Sequence, residues 1–326
     1  MILKHVLVTG ANGFIGQHVC RRLTESGREV IACVREQADA SVLAETPGSL
    51  KIHRILSLST DADLTPALFG VDAVIHLAGR AHVMHDNAAS PLNEFQKVNV
   101  VGTESLASIA AQQGVKRFIY VSSIKVNGEA TNGTPFGADD PPGYCDPYGQ
   151  SKFDAEERLR QIAEEANMEW VVLRPPLVYG PGVRGNFLSL LKVVFHGIPL
   201  PLGNLQNSRS LVSVFNLSDF LYLLLDHPNA ANNRFLVTDE HDISTPDLVC
   251  QIAAALHCPS RIIRCPEAVL HLAGSVLRRR ESIQRLCSSL VVDRKKVKDL
   301  LGWSAPTTLE WGLDRTAEWF LNFMSS

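Results

Sequence analysis

The sequence predicts an α/β fold: a doubly wound parallel sheet covered by helices on both faces, with a smaller C-terminal subdomain. Three observations carry that reading. Short, continuously apolar runs alternate with amphipathic stretches of helical period through the first half, as a parallel sheet buried on both faces requires. A glycine trio stands directly between the first run and the first amphipathic stretch. After Pro175 and Pro176 the rhythm loosens, and Gly and Pro become frequent.

In chain order, HVLVT at 5–9 is the first strand. The helix after it sets Phe14, Ile15, Val19, Cys20 and Leu23 against Arg21, Arg22 and Glu25, and Gly27 ends it;. VIACV at 30–34 is the second strand, followed by a short strand near 52–56, a helix over 61–69 and AVIHLA at 73–78. A long helix is expected over 92–112, then the strand VKRFIYVS at 115–122, a helix over 148–166 and the strand WVVLR at 170–174. Beyond that point VYGPGVRGN and HGIPLPLG read as loops over the carboxyl edge of the sheet. LVSVF at 211–215 and a helix over 217–226 are expected to return to the main sheet. ISTPDLVCQIAAAL is a helix with Thr245 and Pro246 at its cap and first turn;. The expected division is a dinucleotide-binding part over 1–174 and a mainly substrate-binding part over 175–326, with 205–230 rejoining the first.

Composition narrows the function classes. The 326 residues are 45% apolar and 20% charged, ordinary for a globular protein with a full core;. A net charge of -3 gives no reason to expect nucleic acid as a partner;. No apolar stretch is long enough to span a bilayer;. MILKHVLVTG reads as a first strand rather than a secretory signal, so a cytoplasmic location is expected;. The seven cysteines stand singly with no CxxC pair, which predicts reduced thiols and no metal;. The HxxH spacing of His82 and His85 is a poor zinc signal and reads as polar loop or substrate pocket;.

TGANGFIG places Gly10, Gly13 and Gly16 after a strand and at the opening of a helix. Gly10 permits a tight exit from the strand, Gly13 lets backbone approach a pyrophosphate, and Gly16 lets helix and sheet pack closely. The helix-start amides then meet negative charge. This is a dinucleotide cradle, and it makes the sheet Rossmann-type. The cofactor is NAD(H) or NADP(H). Strand two ends in Cys33-Val34-Arg35-Glu36 without an aspartate for the ribose, and Arg35 could face a 2′-phosphate, stack on adenine or sit in solvent;. Asp61 and Asp63 either approach adenine or cap the following helix.

Tyr148 and Lys152 stand four residues apart in DPYGQSKFDAEERL, one turn apart on one helix face;. A tyrosine hydroxyl titrates near ~10, too high for acid–base work at neutral pH. A nearby ammonium and a positive nicotinamide favour the phenolate, so its pKa is expected to fall. YVSSIKVNG ends a parallel strand, where Ser123 or Ser122 can hold a substrate oxygen;.

With these motifs in place, the whole chain resembles the extended short-chain dehydrogenase/reductase family, in its sugar-nucleotide epimerase/dehydratase group. TGANGFIG fits the cofactor loop, HLAG at 76–79 the segment lining the dinucleotide, and Asn99 in VNVVGT the asparagine of the central helix. SSIKVNG matches the strand end that bears the catalytic serine, YGQSK the Tyr and Lys roles, and RPPLVYGP at 174–181 the lead into the substrate half. The resemblance implies Ser123, Tyr148 and Lys152 as catalytic. It implies cofactor contacts at Gly10, Asn12, Gly13, Phe14, Ile15, Gly16, Arg35, Leu77, Ala78, Gly79, Asn99, Tyr148, Lys152 and Pro175. Substrate contacts fall on His82, Ser123, Lys125, Asn186 and Arg209, the last suited by its rigid donor fork to a diphosphate;. Asp219 reads as an anchor for its helix, Trp303 as packing, and Arg294 as a weak substrate candidate. Two departures stand out: strand two lacks the usual aspartate, and Asn127 occupies the tyrosine position of the VYG triplet.

Within the group, the motifs look most like bacterial polysaccharide-cluster enzymes. These include reductases that turn a UDP-4-keto-6-deoxy-N-acetylhexosamine into UDP-N-acetylquinovosamine, and C4 epimerases that retain NAD. The resemblance puts the reductase first and a UDP-glucose or UDP-N-acetylglucosamine 4-epimerase second. Ile124 and Lys125 stand where a dehydratase carries an acid pair. A non-catalytic dinucleotide sensor or scaffold is the reading from another class. Relatives also imply a homodimer built on the helices at 92–112 and 148–166, with a UDP-sugar as the small-molecule partner.

Overall fold

The computed structural model describes residues 2–58, 64–80, 91–266, 284 and 286–325. Among them nine strands form two sheets: β1 His5–Thr9, β2 Glu29–Arg35, β3 Leu50–Ile55, β4 Ala73–His76, β5 Arg117–Val121, β6 Glu169–Arg174, β7 Leu177–Tyr179, β8 Leu211–Ser213 and β9 Asn233–Leu236. The main sheet has seven strands in the order β3-β2-β1-β4-β5-β6-β9, and every neighbouring pair is parallel. The order reverses between β1 and β4, where Thr9 sits beside both Cys33 and His76. Ligands of open α/β sheets bind in the crevice that such a reversal opens at the carboxyl ends of the strands. The fold is therefore a Rossmann-type parallel sheet with a separate, mainly helical C-terminal subdomain.

Among the described residues the helices are α1 Phe14–Glu25, α2 Thr65–Leu68, α3 Pro91–Phe95, α4 Gly102–Gln112, α5 Pro147–Ala166, α6 Gly185–Phe195, α7 Val214–Asp226, α8 Thr245–Ala255, α9 Lys295–Leu301 and α10 Leu309–Ser325. Side chains alternate across the strands, so the continuous apolar runs feed two cores. Val6, Val8, Ile119, Val121 and Leu173 point to the face covered by α1 and α7. Leu7, Val74, Phe118, Tyr120 and Val172 point to the face covered by α4 and α5. A third core, with Tyr179, Phe187, Leu191, Ile252 and Phe320, joins α6, α8 and α10. Truncating any of these large buried side chains to alanine costs about 2–5 kcal/mol.

The structure corrects four expectations. The helix over 92–112 is not continuous: Gln96–Val101 forms a π-helical turn between α3 and α4, and this wider turn carries Asn99;. β8 does not join the main sheet. It is three residues long and pairs with β7, because Ser213 accepts from the Asn216 amide and turns the chain into a helix. Only α7 of that segment packs back, against α1. The seventh strand instead comes from NRFL at 233–236, half of it polar and only partly buried, which hid it from the pattern. Finally, Ser244 rather than Thr245 caps α8, accepting from the Asp247 amide at 3.1 Å, while the Thr245 hydroxyl accepts from Asn207.

Asp219 ties three elements together, accepting from Arg22 of α1 and, at 3.0 Å, from the Trp303 indole. Among the described residues no helix is long and apolar enough to cross a membrane. Cys20 and Cys33 are buried, and Cys145 and Cys250 are exposed.

Candidate active site

The glycine trio holds the crevice open by contact distances. A Cβ on Gly10, whose φ is +65°, would stand 2.9 Å from the Ala78 amide nitrogen. A Cβ on Gly16 would stand 2.1 Å from the Gly10 carbonyl oxygen, a position no side chain can occupy. α1 therefore starts against β1, with Gly13 as an N-cap that puts no side chain over the first amides. Bare amides at a helix start suit a pyrophosphate, so the cradle fits a dinucleotide.

Beside it a directional hydrogen-bond chain runs through the buried His76. Thr9 Oγ1 accepts from the Leu77 and Ala78 amides, both at 3.2 Å. Its own proton therefore goes to His76 Nδ1 at 2.6 Å. That leaves the imidazole proton on Nε2, which donates to Thr103 Oγ1 at 3.1 Å. Thr103 in turn donates to the Asn99 carbonyl at 2.5 Å. Burial, with a smaller effect from the Lys152 charge, pushes His76 down to about 3, so the ring is neutral. The Asn99 side chain accepts from the Arg80 amide at 2.7 Å and donates to the Arg80 carbonyl and to Ser151 Oγ. One network thus joins β1, the HLAG segment after β4, the π-helical turn and α5.

α5 starts where the sequence sets it: Asp146 caps, accepting from the Gly149 amide at 2.7 Å, and Pro147 occupies the first turn;. Tyr148 follows at once, its ring edge-on to Phe95 with centroids 5.8 Å apart. Lys152 lies one turn on, buried, with Nζ donating to the Val121 carbonyl at 3.0 Å and standing 4.5 Å from the Tyr120 ring centre. Burial lowers the Lys152 ammonium to about 8, against an opposing pull from Glu156. Burial of the Tyr148 hydroxyl raises it to about 12; contact with the Ser123 hydroxyl lowers it, and the Asp146 charge raises it further. The expected fall of the tyrosine pKa is therefore not produced by the protein alone. Desolvation outweighs the Ser123 contact, and the one neighbouring charge that acts, Asp146, adds to the rise;. Ser123 caps the short turn Ile124–Val126 by accepting from the Lys125 amide.

A cleft of about 230 Å³ brings the chemistry together, lined by Ile15, Leu77, Gly79, Ser123, Tyr148, Lys152 and Pro175 of the expected set. Ser122, Arg80, Val121, Pro176 and Val178 line it too. Arg80 follows HLAG directly, and that adjacency was the signal for it. Asn99 backs this cleft through Gly79, since a Cβ there would meet Asn99 Oδ1 at 3.0 Å. Other expected residues stand elsewhere. Asn12 donates to the Asp39 carbonyl at 2.9 Å, Phe14 packs toward the C-terminal core, and Arg35 ends β2 exposed. Lys125 pairs with Glu129 at 2.8 Å and with Asp146. Asn186 is exposed on the first turn of α6, and Arg209 donates to the Ser288 carbonyl at 3.0 Å in the C-terminal half. Arg294 donates to Thr238 and to the Asp239 carbonyl and pairs with Asp242. His82 and His85, like Asp61 and Asp63, lie outside the described residues.

Comparison with known proteins agrees with this geometry. The model of the NAD dependent epimerase/dehydratase family matches residues 6–238. A UDP-glucose 4-epimerase of Vibrio cholerae is 42% identical over 320 residues, spanning 98% of this chain and 96% of its own. An Escherichia coli O157:H7 protein, N-acetyl-alpha-D-glucosaminyl-diphospho-ditrans,octacis-undecaprenol 4-epimerase, is 28% identical, spanning 97% of this chain and 95% of its own. Among solved structures, MoeE5 in complex with UDP-glucuronic acid and NAD superposes with a TM-score of 0.77 at 26% identity, covering 98% of this chain and 99% of that one. The chain belongs to the NAD dependent epimerase/dehydratase family.

Proposed function

We propose that this protein is a 4-epimerase of a UDP-hexose or UDP-N-acetylhexosamine, with Ser123, Tyr148 and Lys152 as its catalytic side chains. The observation that carries the choice is the full-length likeness to the Vibrio cholerae UDP-glucose 4-epimerase, at 42% identity. The motif resemblance had put a UDP-N-acetylquinovosamine-forming reductase first; the relatives weigh toward the epimerase instead. The cradle of Gly10, Gly13 and Gly16 and the residues around Lys152 would hold NAD(P), and the bound nicotinamide supplies and accepts hydride. Tyr148 Oη moves the proton of the sugar C4 oxygen, Ser123 Oγ steadies that oxygen, and Lys152 holds positive charge beneath both. Lys125 is paired with two carboxylates, so we do not place it on the substrate. Asn186 and Arg209 stay proposals for the nucleotide end, and α4 packed on α5 stays the proposed homodimer face.

One observation favours the reductase as second reading. Arg35 ends β2 beside β3, where Arg54 spans the Glu36 and Ala38 carbonyls. Two guanidiniums at that edge suit a 2′-phosphate, and so a consumed NADPH. The test is direct. Purified protein given UDP-glucose, UDP-N-acetylglucosamine or a UDP-4-keto-6-deoxy sugar is followed by cofactor absorbance and sugar chromatography. A C4 epimer forming with no net change in cofactor is the expected result. Stoichiometric NAD(P)H loss confined to the keto sugar would replace the epimerase with the reductase.

A further inference from the structure

We propose that Lys125 is a positioning residue for the Ser123–Tyr148 hydroxyl pair, acting through Asp146 at the foot of the catalytic helix. The inference rests on the reading of Tyr148 as the proton-transferring group, and goes beyond it.

Lys125 joins the turn bearing Ser123 to the start of α5 through both its backbone and its side chain. Its amide donates to Ser123 Oγ at 3.3 Å. Its carbonyl oxygen lies where the first helical turn rests, and a Cβ on Gly149 would stand 2.8 Å from it. Its ammonium pairs with Asp146 Oδ2 and, at 2.8 Å, with Glu129 Oε1. Asp146 uses its other oxygen, Oδ1, to cap the helix at the Gly149 amide. One carboxylate therefore fixes the helix with one oxygen and is held and neutralised through the other. Tyr148 is the next residue but one.

Among the described residues, Tyr148 is faced by Asp146 and Lys152 on its own helix, Tyr120 on β5, and Arg80 across the cleft. Lys125 and Glu129 approach from the turn after β5. Asp146 is the charge that works against the phenolate. Lys125 is the cation set directly on it. Removing Lys125 leaves two carboxylates beside the helix start, which holds the Tyr148 proton more firmly and loosens the seat of Ser123. An acidic side chain at position 125 could not make this clamp, because it would repel Asp146 and Glu129.

The experiment measures the pH dependence of kcat and kcat/KM of the holoenzyme for K125M, K125R, D146N and K125M/D146N. For K125M, kcat falls about tenfold with KM within about twofold, and the limb that belongs to Tyr148 moves about one pH unit upward. K125R restores both. Asparagine still caps a helix, so D146N alone moves the limb downward, and D146N placed on K125M returns it toward wild type. A purely structural role would not be rescued by that second change. An unmoved limb in K125M and D146N overturns the proposal. A K125M variant that raises KM at constant kcat also overturns it, because Lys125 would then touch substrate. Full activity in Y148F removes the underlying reading itself, and this inference with it.

Discussion

Glu156 and Arg174 form a fully buried bidentate pair, with Nε 2.9 Å from Oε1 and Nη2 2.6 Å from Oε2. It bolts α5, the helix of Tyr148 and Lys152, to strand β6. The remaining Arg174 donor, Nη1, goes to Asn127 Oδ1 at 3.0 Å, and Asn127 Nδ2 reaches the Gly137 carbonyl. The departure from tyrosine at Asn127 is therefore a polar one with a definite use: it completes the guanidinium. Glu156 also stands one turn beyond Lys152 and supports its positive charge.

Breaking that pair from one side leaves a charge with no counterpart in the core. Glu156→Gln is expected to cost about 3–5 kcal/mol in urea unfolding. E156L/R174M should recover much of the loss. A Glu156→Gln cost below about 1 kcal/mol would contradict the burial described.

Lys152 titrates inside the working range. Its folded pKa of about 8 lies below the ordinary 10.5. The ammonium is thus present below pH 8 and lost above it, so kcat/KM should fall as pH rises through about 8, at constant ionic strength. Stability has the opposite sign. The buried charge is a penalty below pH 8 that is relieved as pH rises toward the unfolded value. Lys152→Met should be inactive, yet more stable than wild type at pH 7 by about 1–3 kcal/mol, a gain that narrows toward pH 10. A flat rate profile to pH 10 would deny the ammonium its part.

His76 should stay neutral far into acid, with the proton on Nε2. Its pKa is lowered from 6.5 to about 3. Histidine nitrogen NMR should show that tautomer unchanged from pH 8 to pH 4. Because the unfolded chain takes up this proton and the folded one does not, stability should decline as pH drops below 6.5. Thr103→Val strands the Nε2 proton and should cost about 1–3 kcal/mol. A protonated ring at pH 5 would be incompatible with the hydrogen-bond directions assigned above.

Two glycine substitutions should separate contact from backbone strain. Gly16→Ala drives a Cβ into the Gly10 carbonyl and should weaken dinucleotide binding at least about 100-fold by fluorescence titration;. Gly27 has φ +78° and nothing within 4 Å of a Cβ. Gly27→Ala should therefore cost about 1–2 kcal/mol of stability and leave binding unchanged.

What could be read from the chain follows from how each signal is written. β1, β4, β5 and β6 announce themselves because they are buried on both faces and hence largely apolar, whereas β3, LKIHRI, is an exposed edge strand whose pattern is weaker. The cradle and the Tyr148/Lys152 spacing are local, set by a few adjacent residues. What escaped is not local. β9 is a half-polar edge strand recruited from beyond the subdomain's first elements. The clamp on Asp146, the Thr9–His76–Thr103 relay and the Asn127–Arg174 bond join residues 21 to 67 positions apart. No periodicity encodes such pairings. The rise of the Tyr148 pKa in the protein alone escaped for a related reason: neighbouring charges can be counted in a sequence, whereas the depth of a hydroxyl cannot.

The last strand of the main sheet has a consequence for how this protein can be made or divided. Because β9 closes the edge beside β6 after the chain has already travelled through β7, α6 and β8, the nucleotide half is not contiguous. A ribosome must release residue 236 before the sheet can be completed. A fragment stopped at the end of β6 would present a bare parallel edge, ready to recruit another polypeptide. The two halves should therefore resist separate expression and be inherited together.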